Sequence, residues 1–387
     1  MAKGKRDGLL IAGGGLAGSL AALAMAKARP EVPILLVEEG DSFGGNHIWS
    51  FFDSDIEPEH RWLVEPLISH SWQGYYVAFP GHSRKLKEGY HSIRSEQLDQ
   101  VMRETLRPDQ YRLNTKIAAV RDNELVLPGG ERIKADGAVD ARGAANLSML
   151  DLGWQKFVGR EYRFDAPHRV DKPVIMDATV DQAEGYRFVY CLPFSDTEML
   201  VEDTYYSDTP ELDADAIGAR IDEYVATRGW QGGTVLREES GVLPVAIGGD
   251  FDSFWRVGGA RVAKLGLRGG LFHPTTGYSL PDAVRSAVML TEQKSLDGAQ
   301  LHDLFEDHAT SQWKKRDFYR SLNTMLFRAA YPKERYKILE RFYRLDSSLI
   351  ARFYAGRSGM VDKMRILSGK PPVPVGKAVS AMRERRR

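Results

Sequence analysis

Cysteine is almost absent: Cys191 is the single one in 387 residues. That excludes a disulfide framework and any thiolate metal cluster, and it points to a reducing, cytoplasmic setting. Long apolar runs are also missing. No stretch of about 18 or more uninterrupted apolar residues occurs, so no membrane span is expected. A signal peptide is not expected either, because Met1 to Asp7 is basic and polar and Gly13, Gly14 and Gly15 interrupt the apolar stretch behind it. The nine histidines lack the spacing of metal ligands, so no metal is expected. The sequence has no internal repeat, low-complexity tract or nucleic-acid-binding motif, and no nucleic-acid partner is expected.

Net charge is missing too, with 53 Lys and Arg against 53 Asp and Glu. The balance is uneven along the chain: from Trp313 to Arg387 there are 20 basic and 6 acidic side chains. Such polarity suits docking on an anionic surface, although solvated helix faces give the same count. A hydrophobic content of 43% with 10% aromatic residues marks a folded protein, and the length suggests two or three domains.

What is present begins with a strand, a glycine-rich turn, a helix and a second strand. Gly8 to Ala12 and Ile34 to Val37 are short, wholly apolar runs, as buried parallel strands require. Leu16 to Ala28 between them is rich in Ala and Leu and is stopped by Pro30. Asp41 to about Tyr90 reads as a long aromatic loop system. Ser95 to Leu106 is a capped helix, Ile117 to Ile133 a hairpin around Pro128-Gly129-Gly130, and Ala138-Val139-Asp140 another buried strand. From about Gln155 to Pro244 the pattern changes to aromatic β segments, interrupted by a helix over Asp213 to Arg228. The expected division is therefore a Rossmann-type dinucleotide domain over 1–150 and 245–300, an inserted antiparallel β-sheet substrate domain over 151–244, and a helical, basic C-terminal region over 301–387.

The turn carries Gly13-x-Gly15-x-x-Gly18, and Glu38 follows 20 residues after Gly18 at the end of the second strand. Gly13 permits the tight turn, Gly15 lets a pyrophosphate approach the backbone, and Gly18 lets the helix pack closely on the strand. The helix N-terminus offers N–H groups and a positive dipole end to phosphate, and Glu38 can accept hydrogen bonds from an adenosine ribose. Gly13, Gly15, Leu16, Ala17, Gly18 and Glu38 are the expected nucleotide contacts. A second cluster, Arg268 to Pro281, sets glycines, Pro274 and small hydroxyls before another helix. It favours cofactor contact at Gly270, Thr276 and Gly277 over an ordinary capping loop.

Longer strings are more specific than the opening glycines. They are Gly44-Gly45-Asn46-His47-Ile48-Trp49-Ser50-Phe51, Met176 to Asp181, Gly185 to Tyr190, Val201-Glu202-Asp203-Thr204, Phe272 to Pro281, and Arg365 to Pro374. In this order they resemble the bacterial lycopene β-cyclases, nearly end to end. The resemblance implies an FAD-binding α/β fold akin to aromatic hydroxylases and geranylgeranyl reductases. It implies an isomerase that turns the linear ends of lycopene into β-rings, giving γ-carotene and then β-carotene. It also implies reduced FAD, with NAD(P)H as electron source, although the reaction is not a net redox change. One departure stands out: the wider group has Gly-Asp before the late loop, where Arg268-Gly269-Gly270 stands here. That puts the usual carboxylate contact to the cofactor in doubt.

The implied chemistry protonates an isolated alkene, closes a ring on the cation and removes a ring proton. An alkene is a poor base, so the acid must be strong yet protonated, which a desolvated carboxyl provides. Aromatic faces stabilise a cation without trapping it, and water must be kept out. The resemblance favours Glu202 as that acid, whereas by spacing alone Glu202 and Asp203 read as a solvated strand end. Asp203 and His273 complete the candidate catalytic set, but adjacent strand residues face opposite ways, so only one of Glu202 and Asp203 can enter a pocket. Asp177 and Asp181 either line the same sheet or cap turns, and Arg187 can pair with a carboxylate. His273 is either a flavin contact or proton relay, or a satisfied loop histidine. Gly45, His47 and Trp49 lie on the expected cofactor or substrate path.

A substrate dissolved in lipid requires membrane contact, and peripheral association with the cytoplasmic membrane is expected. Trp313, Phe318, Tyr319, Leu322, Met325, Leu326 and Phe327, with Phe342, Tyr343, Ile350, Phe353 and Tyr354, alternate with basic residues as interfacial helices do. Inward packing of the same residues is the competing reading. For the chain as a whole the alternatives are a flavin-dependent monooxygenase or prenyl-chain reductase on the same scaffold, or a non-catalytic nucleotide-binding protein.

Overall fold

The computed structural model describes residues 8–144, 146–230, 232–257, 259, 261–369 and 373–385. Met1 to Asp7, Lys370-Pro371-Pro372 within the late string, and Arg386-Arg387 lie outside the described residues.

The apolar runs at the start pair side by side. Leu9–Ala12 lies parallel to Ile34–Val37 on one side and to Gly137–Asp140 on the other. Ala263–Lys264 and Tyr111–Arg112 complete a five-stranded parallel sheet. The Leu16–Ala28 helix shows no amphipathic stripe because it is covered nearly all round, by this sheet and by the Leu280–Thr291 helix. Its alanines permit that close approach, and a Cβ on Gly18 would stand 1.9 Å from the Gly13 carbonyl oxygen. The segment read as a hairpin is a three-stranded meander, Ala119–Val120, Glu124–Val126 and Arg132–Lys134, and it covers the outer face of the parallel sheet.

The second sheet has seven strands, in the order Thr234–Gly249, Leu150–Arg163, Glu198–Ser207, Tyr186–Pro193, Val174–Asp177, Tyr75–Phe79 and His82–Leu86. It extends beyond 151–244, because two strands from the supposed loop system continue it through a parallel pairing of Tyr75–Phe79 with Val174–Asp177. Those strands alternate more and less buried positions, a period-2 signal that the aromatic, turn-rich composition concealed. One face of this sheet buries Met199, Val201 and Tyr205 against the Ala214–Thr227 helix, which Asp213 caps by accepting from the Ala216 N–H at 3.0 Å. The other face buries Leu200 and Tyr206 together with residues of the C-terminal helices.

The C-terminal aromatic residues turn inward. Tyr319, Leu326, Phe327, Phe342, Tyr343, Ile350, Phe353 and Tyr354 are all buried in that second core. Trp313, Phe318 and Leu322 are half-buried and packed on the cores. The expectation that these residues meet lipid is thereby corrected: ring against ring, as in Phe342–Phe353 at 4.7 Å, they build the lid of the sheet.

A buried ion pair joins this region to the late glycine loop. Arg316 donates to both carboxylate oxygens of Asp282, at 2.6 and 2.7 Å, and to the Phe272 carbonyl at 3.1 Å. Both side chains are buried. Breaking one partner strands a charge, so Arg316→Met is expected to destabilise the fold by roughly 3–5 kcal/mol, and Asp282→Leu/Arg316→Met to recover most of it. Urea unfolding followed by circular dichroism checks both.

Candidate functional site

The parallel strands end at a cavity of about 310 Å³ that both sheets help to wall. Gly15, Leu16 and Ala17 line it from the glycine turn, and Gly44, His47, Ile48, Trp49 and Ser50 from the first long string. Gly266, Leu267, Thr276 and Gly277 come from the late loop, and Glu202 and Glu239 from the seven-stranded sheet. Open α/β sheets place ligands at this carboxyl end.

The glycine-turn half has the shape and donors to fit a phosphate. Gly13 takes φ +95, with its would-be Cβ 2.9 Å from the Ala141 carbonyl, so no other residue makes the turn without strain. Gly15 has nothing within 4 Å of its would-be Cβ, and no side chain caps the helix it opens. That leaves N–H groups and open space where an anion would lie. Glu38 sits beside the turn and accepts from the Gly14 and Gly40 N–H groups at 2.6 and 2.7 Å. The Gln155 side chain lines the cavity wall, and its buried Oε1 has no hydrogen-bond partner among the described residues. A cofactor donor group would satisfy it. These features fit a dinucleotide that carries a polar ring system.

Other expected contacts fall elsewhere. Gly45, at φ +65, shapes the loop, while its neighbour Gly44 forms the wall. Gly270 caps a short 3₁₀ turn in the left-handed region and packs against Phe251 and Phe254, away from the cavity. Arg268 also turns away, toward Asp140 at 3.4 Å. Gly266 and Leu267 take the wall in its place, so this loop contributes no carboxylate.

The acid half centres on one register row. Glu202 stands opposite Gly159 on one side, and Glu239 stands opposite the same Gly159 on the other. Tyr190 extends the row beyond Glu202. Because residues in register share a face, both glutamates project to the cavity across a position with no side chain. A Cβ on Gly159 would lie 3.4 Å from both Glu202 Cβ and Glu239 Cγ. Burial, reinforced by the Glu239 charge and opposed by the Thr204 hydroxyl that donates at 2.7 Å, pushes the Glu202 carboxyl up to about 8. Burial also lifts Glu239, to about 7, against the pull of Arg237 and of the Ile48 N–H, which donates to it at 3.1 Å. Trp49, Tyr90, Phe157, Tyr190 and Tyr278 enclose the pair in aromatic surface.

Asp203 points the other way. It is fully buried; the Arg187 Nε–H reaches its two oxygens at 2.9 and 3.1 Å, a second guanidinium nitrogen lies 2.9 Å away, and the Tyr205 hydroxyl donates at 2.9 Å. Strand alternation puts it on the helix-covered face, so its place in the catalytic set is corrected to a packing role. His273 is corrected likewise. Its Nε2 donates to the Phe353 carbonyl at 3.1 Å and its Nδ1 accepts from the Thr275 and Thr276 N–H groups. Burial, helped by Arg316, holds it down at about 3, so it is a neutral brace that shapes the loop bearing Thr276. Asp177 accepts from Thr179 and from the Tyr224 hydroxyl on the same far face, and Asp181 receives Arg187 through its carbonyl. Glu239 was missed because it sits in the polar string Arg237-Glu238-Glu239-Ser240; only its register with Gly159 and Glu202 reveals it. Among the described residues, His302, Asp303 and Glu306 gather ligand-type atoms within 4.8 Å, but both His302 nitrogens already serve Trp255 and Asp303.

Comparison with known proteins settles the lineage. The pattern of the family described as lycopene cyclase protein matches residues 8–380. The chain belongs to the lycopene cyclase family. It is 44% identical over 375 residues to the lycopene beta-cyclase of Pantoea ananas, covering 97% of each chain. It is 42% identical to that of a Paracoccus species, again over 97% of each. Among solved structures it resembles a geranylgeranyl bacteriochlorophyll reductase-like protein from Thermoplasma acidophilum, with TM-score 0.62, 13% identity, and 98% and 99% of the two chains covered. A flavin-dependent brominase matches with TM-score 0.60 at 14% identity over 98% and 99%. The family member therefore has the α/β fold of flavin-dependent enzymes, with several sheets and a helical C-terminal region.

The carboxyl pair makes a spectroscopic prediction. The Glu202 proton is retained up to about pH 8 and lost above it, against an ordinary glutamate value of 4.5. The folded chain then holds a proton that the unfolded chain has released, so stability falls as pH rises through that window. An infrared carboxylic-acid band is expected to vanish near pH 8, to be missing in Glu202→Gln and to titrate lower in Glu239→Gln. Stability of Glu202→Gln relative to the unaltered chain is expected to grow from pH 5 to pH 8, measured by urea unfolding.

Proposed function

We propose that the chain is an FAD-dependent lycopene β-cyclase in which Glu202 is the acid that starts ring closure. The observation that carries this is the convergence of the glycine turn and two desolvated glutamates on one cavity. The near-full-length identity to named cyclases supports the substrate.

Glu202 meets the demand that alkene protonation makes: burial keeps it protonated at neutral pH, and the Thr204 hydroxyl orients it. Glu239 is the positioning partner. Held by the Ile48 N–H, it sets the charge that keeps the proton on Glu202. Proton transfer from Glu202 to the terminal double bond leaves a tertiary cation, which the internal double bond attacks to close the ring. Loss of one ring proton returns a proton to the carboxyl pair, so the sum is an isomerisation of lycopene to γ-carotene and, at the second end, to β-carotene. The enclosing aromatic rings stabilise the cation and exclude the water that would trap it as an alcohol. When bound against Gly15, Leu16, Ala17, Thr276 and Gly277, reduced FAD supplies negative charge near the cation. NAD(P)H is the electron source that keeps the flavin reduced, and its consumption is far below product formed. The enzyme works peripherally on the cytoplasmic membrane, where its substrate resides.

Glu202→Gln is expected to purify with FAD bound and to lose cyclase activity by roughly 10²–10⁴-fold. Expression in lycopene-accumulating cells with pigment chromatography checks it. Undiminished β-carotene from the variant would remove Glu202 from this role, and NAD(P)H consumed one for one with product would favour a reductase or oxygenase.

A further inference from the structure

A larger cavity, of about 540 Å³, lies on the other side of Thr276, which lines both. Its wall is almost wholly apolar, with Tyr206 and Tyr354 at the inner end and Leu322, Leu326, Leu339 and Phe342 along it. At its outer end Leu367 and Val379 line the cavity while remaining 55% and 45% exposed, so they form its mouth. Leu367 ends the Met360–Leu367 helix, whose apolar side faces outward. Met360, Val361 and Met364 are 72%, 74% and 58% exposed and lie on one stripe with Leu367 at helical spacing. The polar contact of this helix is turned inward, where Asp362 receives Arg352 at 2.7 and 2.8 Å.

Basic groups surround the mouth. Arg341 and Arg383 line it, Arg365 sits on the same helix, and Lys377 stands over the exposed Tyr331 ring at 3.8 Å. Glu384 is the single acid on the Val375–Arg385 helix. An outward apolar stripe within a cationic rim is the pattern of an interfacial helix on anionic lipid.

The geometry points to the Met360–Leu367 helix as a bilayer-docking lip, and to the chamber behind it as the conduit by which a linear polyene reaches Glu202. The inference rests on the cyclase reading and extends it: a rigid hydrocarbon too long for the site cavity needs a second apolar compartment, and the chamber supplies one that opens onto lipid.

Flotation of the FAD-loaded enzyme with phosphatidylglycerol/phosphatidylethanolamine vesicles tests the lip without relying on turnover. The unaltered protein is expected to float, less so at high salt or with pure phosphatidylcholine. Met360→Glu/Met364→Glu, on exposed positions outside the catalytic machinery, is expected to lower vesicle binding about tenfold or more. It should keep FAD and its turnover of detergent-dispersed lycopene while losing turnover of vesicle-borne lycopene. Flotation equal to the unaltered protein would overturn the lip. Val379→Arg puts charge in the mouth and leaves the stripe untouched; it is expected to bind vesicles normally yet turn over lycopene about tenfold or more slowly in both deliveries. Full turnover there would overturn the conduit. An unaltered enzyme that floats but cyclises nothing would instead sink the cyclase reading and leave the lip standing.

Discussion

Two carboxyl groups brought out of water onto one strip of sheet are the constraint around which this molecule is arranged. Neither Glu202 nor Glu239 can ionise freely there, because burial opposes it in both and the Glu239 charge adds to the effect at Glu202. Their approach depends on Gly159, whose missing side chain leaves the gap between two strands in register. The strand pairing is thus the device that tunes the acid. The Ile48 N–H on Glu239 ties this strip to the string that follows the first glycine motif, so the same contact orients the pair and closes the cavity wall.

Three other buried carboxylates are paired with arginines and stay out of the site. Asp203 has Arg187 and Tyr205, Asp282 has Arg316, and Asp177 has Arg228 with the Tyr224 hydroxyl. Each pair fastens a different layer: the helix-covered face of the sheet, the late loop to the C-terminal region, and the end of the Val174–Asp177 strand. Buried pairs of this kind contribute specificity of arrangement more than net stability. By contrast, Glu202 has a hydroxyl and no cation and faces the cavity, the combination that the proposed proton donation requires.

The dinucleotide turn was legible in the chain because its requirements are local: glycines at fixed offsets, a helix N-terminus and an acid at the next strand's end. The Leu9–Ala12 and Ile34–Val37 strands and the Ala214–Thr227 helix were legible for the same reason. The helical period of the C-terminal region was visible, but not which side of it met water. Aromatic residues beside arginines suit an interface and a core equally, and Tyr343, Ile350 and Phe353 proved to be core. The Tyr75–Phe79 strand, and with it the His82–Leu86 strand on its outer edge, was hidden because its other partner, Val174–Asp177, lies about a hundred residues on.

By itself, the sequence determined the glycine turn with its flanking strands and helix, the class of the fold and the family resemblance. Only the tertiary structure decided that Asp203 and His273 are satisfied elsewhere, that Glu239 is the partner of Glu202, and that Met360, Val361 and Met364 face outward. The physical reason is the range over which each property is set. Turn geometry and helix propensity act within a few residues, whereas desolvation, like-charge proximity and exposure depend on which distant strands and helices come to share a face.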